Sequence, residues 1–350
     1  MKGYFKNLGA WHACLVLGIL LFIGIIGGKY YILHHRPNVH IEGSAAYLYI
    51  PTGATMEHVF DSLRKMKVLK IESRFIAAAE SDKYGSHVHP GRYKLTNGMT
   101  NGALLNKLTR GLQDPVRLTL SGNIRSNERI AFLLSRYVEA DSARILLSIN
   151  DQDIALEHGF TPATIMGMFI PNTYEVYWNV TPEALLKRMK REYDNFWTDT
   201  RKNKAEALSL SQQQVTVLAS IVYEESLKND EMPRIAGVYI NRLNKKMTLD
   251  ADPTLKFAAG DFTLRRVLDR HKRIDSPYNT YKYAGLPPGP ICVPPPVAID
   301  AVLNYERHDY LYFCAKPDLS GYHDFAKTLA QHNQNARNYQ QMLNRNRIFR

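Results

Sequence analysis

The chain has only three cysteines in 350 residues. Cys14 lies inside the one long apolar run, so Cys292 and Cys314 are left as a single conceivable pair, and a multi-bridge disulfide scaffold is excluded. Metal-ligand spacing is missing as well. The 12 histidines are dispersed and no Cys/His cluster has the separation of a zinc site, so neither metal nor cofactor is expected. Acids are in the minority, 33 Asp and Glu against 45 Lys and Arg, giving a formal net charge of +12. A surface of that sign favours anionic partners such as nucleic acid, lipid headgroups or acidic polymers. The basic residues are scattered, however, and no nucleic-acid-binding motif accompanies them, so nucleic acid is not an expected partner.

Long apolar sequence is confined to the N-terminus. Residues 8–33 are almost wholly apolar, and Ala13 to Gly28 is unbroken, which is enough to span a bilayer as a helix. No Ala-x-Ala-like site follows, while Lys29, Tyr30, Tyr31, His34, His35 and Arg36 form an interfacial collar. The expectation is an uncleaved single-pass anchor within residues 1–36. Lys2 and Lys6 stand against Lys29 and Arg36, so charge leaves its orientation open. The remaining chain is folded soluble mass, two domains by size.

The first of these is read over residues 40–120. Ala46–Ile50 alternates like a strand, residues 55–69 have helical spacing, His89 to Leu95 gives a turn and a strand, 103–112 a short helix, and Val116 to Leu120 another strand. A small α+β module without a cluster of catalytic residue types is expected to bind or to space. Residues 121–205 read as a helical connector, with two short helices in 127–147 and one opened by Thr181-Pro182. Residues 206–350 hold the candidate chemistry. The whole is an α+β chain.

In that last segment Ser211 and Gln214 make a capping box for a helix ending at Glu225-Ser226. At roughly 100° per residue, Val215, Leu218, Ile221 and Val222 form one stripe with Glu225 near its centre. A carboxyl in apolar surroundings tends to keep its proton, and a neutral carboxylic acid near pH 7 is what a general acid requires. Asp230 and Pro233 open the next helix, in which Ala236 and Gly237 permit close approach, so the two helices are expected to pack as a hairpin carrying the acid. Gly285-Leu-Pro-Pro-Gly-Pro-Ile291 would fix a loop as the wall of a groove for an extended ligand. Asp250, Asp252 and Glu224 are the rival carboxylates.

Val217-Leu-Ala-Ser-Ile-Val-Tyr-Glu-Glu-Ser226, Ile235-Ala-Gly-Val-Tyr-Ile-Asn-Arg-Leu243, Leu249-Asp-Ala-Asp-Pro-Thr254, Tyr278-Asn-Thr-Tyr281, residues 285–291, Tyr310-Leu-Tyr-Phe313 and Gly321-Tyr-His-Asp-Phe325, with Thr328 and His332-Asn333, occur in order. Together they resemble the endolytic murein transglycosylase (YceG-like) family. The resemblance covers essentially the whole chain from the anchor onward. It implies an enzyme anchored in the inner membrane, with its catalytic domain on the extracytoplasmic side. Such an enzyme cuts the MurNAc-β-1,4-GlcNAc bond within nascent glycan strands, leaves 1,6-anhydro ends and so terminates elongation. It also implies a LysM-like character for residues 40–120, peptidoglycan as the polymer bound, and cell-wall synthases as partners.

The family's catalytic segment, usually Ile-Val-Glu-Lys-Glu-Thr, reads Ile221-Val-Tyr-Glu-Glu-Ser226 here. Its first Glu is Tyr223, and its second falls on Glu225, the residue that helical geometry also selects. Met166 and Asn172 stand where relatives more often carry acids. The resemblance points to Asn241, Arg242, Asp252, Thr254, Tyr278, Asn279, Thr280 and Tyr281 as substrate contacts, and His323 and His332 are expected to pin structure. Two other readings are a catalytically idle glycan-binding scaffold for wall synthases and a muramidase-type hydrolase.

Overall fold

A computed structural model describes residues 4–86, 88–264 and 267–346. The ends of two expected segments, 1–3 of the N-terminal tail and 347–350 of the last domain, lie outside the described residues. The chain is a mixed α+β fold that divides into two compact units, Met1–Val116 with Glu175–Val180, and Arg117–Tyr174 with Thr181–Arg350. The segment read as a connector, 121–205, thus belongs to the second unit apart from residues 175–180.

The first unit begins with helix α1 (Tyr4–His34), in which Trp11–His34 is long and apolar enough to cross a membrane. Strand β1 (Ala46–Ile50) follows. Helix α2 (Met56–Met66) starts where the Thr55 hydroxyl accepts the His58 N–H, and ends at Lys67 in the left-handed region. Helix α3 (Glu72–Ser81) has no clear mark in the sequence, because Ala77 to Ala79 leaves its apolar face thin. Strand β2 (Gly91–Leu95) pairs antiparallel with β1, Ala46 opposite Leu95, and helix α4 (Asn101–Thr109) completes the unit. Leu48, Ile50, Leu63, Phe75, Tyr93 and Leu104 fill the core, each side chain worth roughly 1.5–3 kcal/mol of burial. The base of α1 is tied in by buried asparagines. Asn38 donates to Asn101 Oδ1 at 2.9 Å, and Asn101 Nδ2 donates to the Leu33 carbonyl at 2.8 Å.

Strand β3 (Val116–Thr119) precedes helices α5 (Asn127–Ser135), α6 (Ser142–Asn150) and α7 (Gln152–Glu157), and pairs with β4 (Thr173–Val176). Helix α8 (Pro182–Phe196) starts with proline in its first turn, as its sequence predicts, and α9 (Asp199–Ala207) leads to the centre of the second unit. There α10 (Gln212–Glu225) and α11 (Met232–Asn244) pack together and against α14 (Pro296–Leu303), with α12 (Asp252–Ala259) also on α10. Helix α13 (Asp269–Lys272) is short; strands β5 (Tyr312–Ala315) and β6 (His323–Ala326) form an antiparallel hairpin, and α15 (Leu329–Arg345) closes the unit with a largely exposed surface.

Helix α10 is enclosed along its middle. Every residue from Val215 to Val222 is buried, so the apolar stripe widens to the whole circumference. Five of those eight are β-branched and poor helix formers, and packing on all sides overrides that propensity. The expected capping box is present, with Ser211 Oγ accepting the Gln214 N–H at 3.1 Å and Gln214 Oε1 accepting the Ser211 N–H at 2.8 Å. At Gly237 the close approach is to a different neighbour than α10. A Cβ there would lie 2.4 Å from the Glu306 carbonyl oxygen, so glycine lets residues 306–308 run against α11.

Candidate active site

The buried helix delivers one carboxyl to a cleft. Glu225 is the last residue of α10, half-buried, and lines a cavity of about 430 Å³ with Tyr239 and Arg242 of α11, Leu249, Asp250 and Asp252, Tyr281, strand β5, His323 and His332. The Tyr239 hydroxyl donates to Glu225 Oε1 at 2.6 Å. Protein packed around the carboxyl raises its pKa from 4.5 to about 7; the Tyr239 hydrogen bond opposes that rise, and the negative charge of Asp252 reinforces it. Glu225 is therefore an acid that holds and releases a proton close to neutrality. Tyr239 is buried and its own pKa is driven up, first by burial and then by the Glu225 charge, so it stays a donor.

Each neighbouring carboxylate has a partner of its own. Glu224 points away into a two-bond ion pair with Arg125, at 2.9 and 2.7 Å. Asp250 pairs with Arg242, and Asp252 Oδ1 accepts the Tyr281 hydroxyl at 2.6 Å. Asp250 has φ of +53°, a left-handed conformation that Asp tolerates better than most residues, and its N–H donates to the Thr280 carbonyl at 3.2 Å. Arg242 is buried and also holds the carbonyls of Thr248 and Leu311, at 2.8 and 2.9 Å. One guanidinium thus staples the 248–250 loop to the start of β5 and supplies a cation to the cleft.

Of the eight residues named as substrate contacts, Arg242, Asp252 and Tyr281 line the cleft. The other five are engaged in building its walls. Asn241 donates to the carbonyls of His308 and Tyr310; Asn279 donates to those of Lys272 and Ile274. The Thr254 and Thr280 hydroxyls lie 2.8 Å apart and buried, and Tyr278 packs on Phe257 with ring centroids 4.6 Å apart. The 285–291 segment does not line this cleft; Ser220 Oγ accepts the Ile291 N–H at 3.0 Å and draws the segment against α10.

Sequence reasoning assigned no site role to several residues that the fold brings here. Tyr239 carried only a helical-spacing signal. Tyr312 stacks on His332 with centroids 5.4 Å apart, and Arg242 lies over the same Tyr312 ring. The pKa of His332 is lowered by burial and by the Arg242 charge, and its buried Nδ1 has no hydrogen-bond partner among the described residues. His323 also lines the cleft and bonds Glu231. Cys292 is buried and Cys314 half-buried; both thiols are free, and burial pushes that of Cys314 up to about 11. No cluster of three or more His, Cys, Asp or Glu that would hold a metal occurs among the described residues.

The chain is similar to known proteins. The model of the YceG-like family matches residues 48–338. The endolytic murein transglycosylase of Bacillus subtilis (strain 168) is 31% identical over 307 residues, which are 83% of this chain and 83% of that protein. The endolytic murein transglycosylase of Streptococcus pneumoniae (strain ATCC BAA-255 / R6) is 28% identical over 298 residues, 76% of this chain and 53% of that longer protein. A crystal structure of a yceG-like protein from Listeria monocytogenes superposes with a TM-score of 0.55 at 26% identity, covering 84% of this chain and 99% of that one.

Proposed function

The chain belongs to the YceG-like family, and from that premise we propose that it is an endolytic murein transglycosylase with Glu225 as its acid. The observation that carries the assignment is the half-buried Glu225 carboxyl, poised near pH 7 and held by Tyr239 in a polar cleft. In the forward step Glu225 protonates the glycosidic oxygen between MurNAc and GlcNAc, and the MurNAc C6 hydroxyl attacks C1. The nucleophile belongs to the sugar itself, so intramolecular proximity replaces the second carboxylate that hydrolysis needs. The C6 hydroxyl loses its proton as it attacks, and the carboxylate left on Glu225 regains one before the next turnover. Arg242, Asp252 and Tyr281 contact the strand along the cleft.

The remaining parts fit one arrangement. Helix α1 anchors the chain in the inner membrane, the α10–α11 hairpin carries the acid on the extracytoplasmic side, and the LysM-like module at 40–120 holds glycan near the bilayer where synthases release it. Asp252 on the same cleft favours a second reading, a muramidase-type hydrolase in which Asp252 serves water or C1.

Digestion of un-crosslinked peptidoglycan by the protein and its Glu225→Gln variant, with chain ends identified by mass spectrometry, separates these. Internal cuts with 1,6-anhydro ends, lost in the variant, are expected. Hydrated ends would transfer the assignment to a hydrolase, and uncut strands bound by both proteins would mean a binding scaffold.

A further inference from the structure

Glu231 is a buried carboxylate that the chemistry above leaves unused. It is 5% exposed and sits immediately before α11, on the short link that follows Glu225. Its Oε1 accepts the His323 backbone N–H at 2.8 Å, and its Oε2 lies 2.7 Å from His323 Nδ1. Ser226 Oγ donates to the same Oε2 at 3.3 Å. A carboxylate only accepts, so this arrangement puts a proton on Nδ1, and the neutral imidazole then has its lone pair on Nε2. The ring is further fixed edge-on to Phe313, with centroids 5.3 Å apart, and by the pairing of His323 with Ala315 across β5 and β6. His323 lines the cleft with Glu225, and its Nε2 has no protein partner among the described residues.

Burying a carboxylate is expensive, and here its two shortest contacts both go to one residue. Such an expense fits a group whose task is to hold an imidazole in one tautomer and one orientation, the arrangement of a base with its orienting partner. We propose that His323, oriented by Glu231, is a second proton-handling residue of this cleft and receives the MurNAc C6 hydroxyl proton.

The inference rests on the transglycosylase reading and refines where one proton goes. The C1–O4 bond breaks with its electron pair on O4, which takes the proton of Glu225. The C1–O6 bond forms as the O6 proton passes to Nε2. The imidazolium then returns that proton to the Glu225 carboxylate through cleft water, and nothing is oxidised, reduced or hydrolysed. Glu231 makes no contact with the reacting atoms and acts as the positioning residue for the imidazole.

The test uses the full chain in detergent micelles with un-crosslinked glycan strands. His323→Gln should lower kcat about 100-fold or more, with KM and thermal unfolding near those of the parent. Glu231→Gln should lower kcat less, because the ring remains but loses its fixed tautomer. Added imidazole should restore part of the activity of His323→Ala, a response that a purely structural histidine would not give. A His323→Gln enzyme with parental kcat would overturn the proposal, as would a rise in KM alone or the absence of imidazole rescue. If His323→Gln melts early, Glu231→Gln and the rescue decide. Unchanged activity in Glu225→Gln would sink the underlying reading instead, independently of His323.

Discussion

Tyr239 of α11 donates its hydroxyl to Glu225 of α10 at 2.6 Å, so the acid at the end of one helix is held by the phenol of the next. Removing the hydroxyl in Tyr239→Phe takes away a bond that favours the carboxylate, and the Glu225 pKa should rise above about 7. A hydrogen bond to a charged group is worth roughly 1.5–3 kcal/mol, equivalent to about one to two pH units. The alkaline limb of kcat/KM, which follows loss of the acid's proton, should move up by that amount. A downward move in the pH profile would show that Tyr239 does not stabilise the carboxylate.

The same raised pKa predicts a cost in stability. Glu225 titrates near 7 when folded and near 4.5 when unfolded, so its contribution is fully present below about 4.5 and is lost as pH rises through 7. The loss is on the order of 3 kcal/mol. Glu225→Gln, which cannot ionise, should therefore unfold at a higher temperature than the parent at pH 8, with the difference vanishing near pH 4. Thermal unfolding across that range checks it; a gain that does not vary with pH would point to packing instead.

Arg125 and Glu224 form a partly buried two-bond pair, with side chains 29% and 13% exposed. Arg125→Ala leaves the Glu224 carboxylate without its counter-charge, at a cost of roughly 2–4 kcal/mol, somewhat below a fully buried pair. Denaturant unfolding should show that loss. Glu224→Gln, by contrast, should retain most of its transglycosylase activity, which separates it from its neighbour Glu225.

The foot of α1 belongs to the first unit as well as to the apolar span. Asn101 Nδ2 donates to the Leu33 carbonyl, and Leu33 packs on that core. Two soluble forms, one beginning at Lys29 and one at Arg36, should differ in stability. The shorter one orphans the buried Asn101 amide and loses Leu33, so it should be less stable by about 2–4 kcal/mol. Equal unfolding midpoints would show that residues 29–35 contribute nothing to that unit.

The catalytic candidate was legible because its signal is local. A capping box, a run of apolar residues and a carboxyl at the helix end all lie within 211–226, and helical spacing alone places Glu225 among them. The same holds for α8, whose start is marked by Thr181 and Pro182, and for strands β1 and β2, which alternate. Helix α3 left no such mark, since Ala77, Ala78 and Ala79 suit any packed segment. The substrate wall was harder to read for a related reason. Asn241, Thr254, Asn279 and Thr280 are the residue types that touch sugars and equally the types that satisfy buried carbonyls and hydroxyls.

What the sequence by itself determined is the apolar N-terminal span, the α+β character and the acid at the end of α10, all written in spacings of a few residues. Only the tertiary structure decided the company that acid keeps. Tyr239 is 14 residues from Glu225, and Glu231 and His323 are 92 apart, separations at which no helical or strand period operates. Their meeting depends on α11 folding back on α10 and on the β5–β6 hairpin bringing His323 to the same cleft. The raised pKa of Glu225 likewise comes from burial, which the assembled second unit supplies and an isolated helix does not.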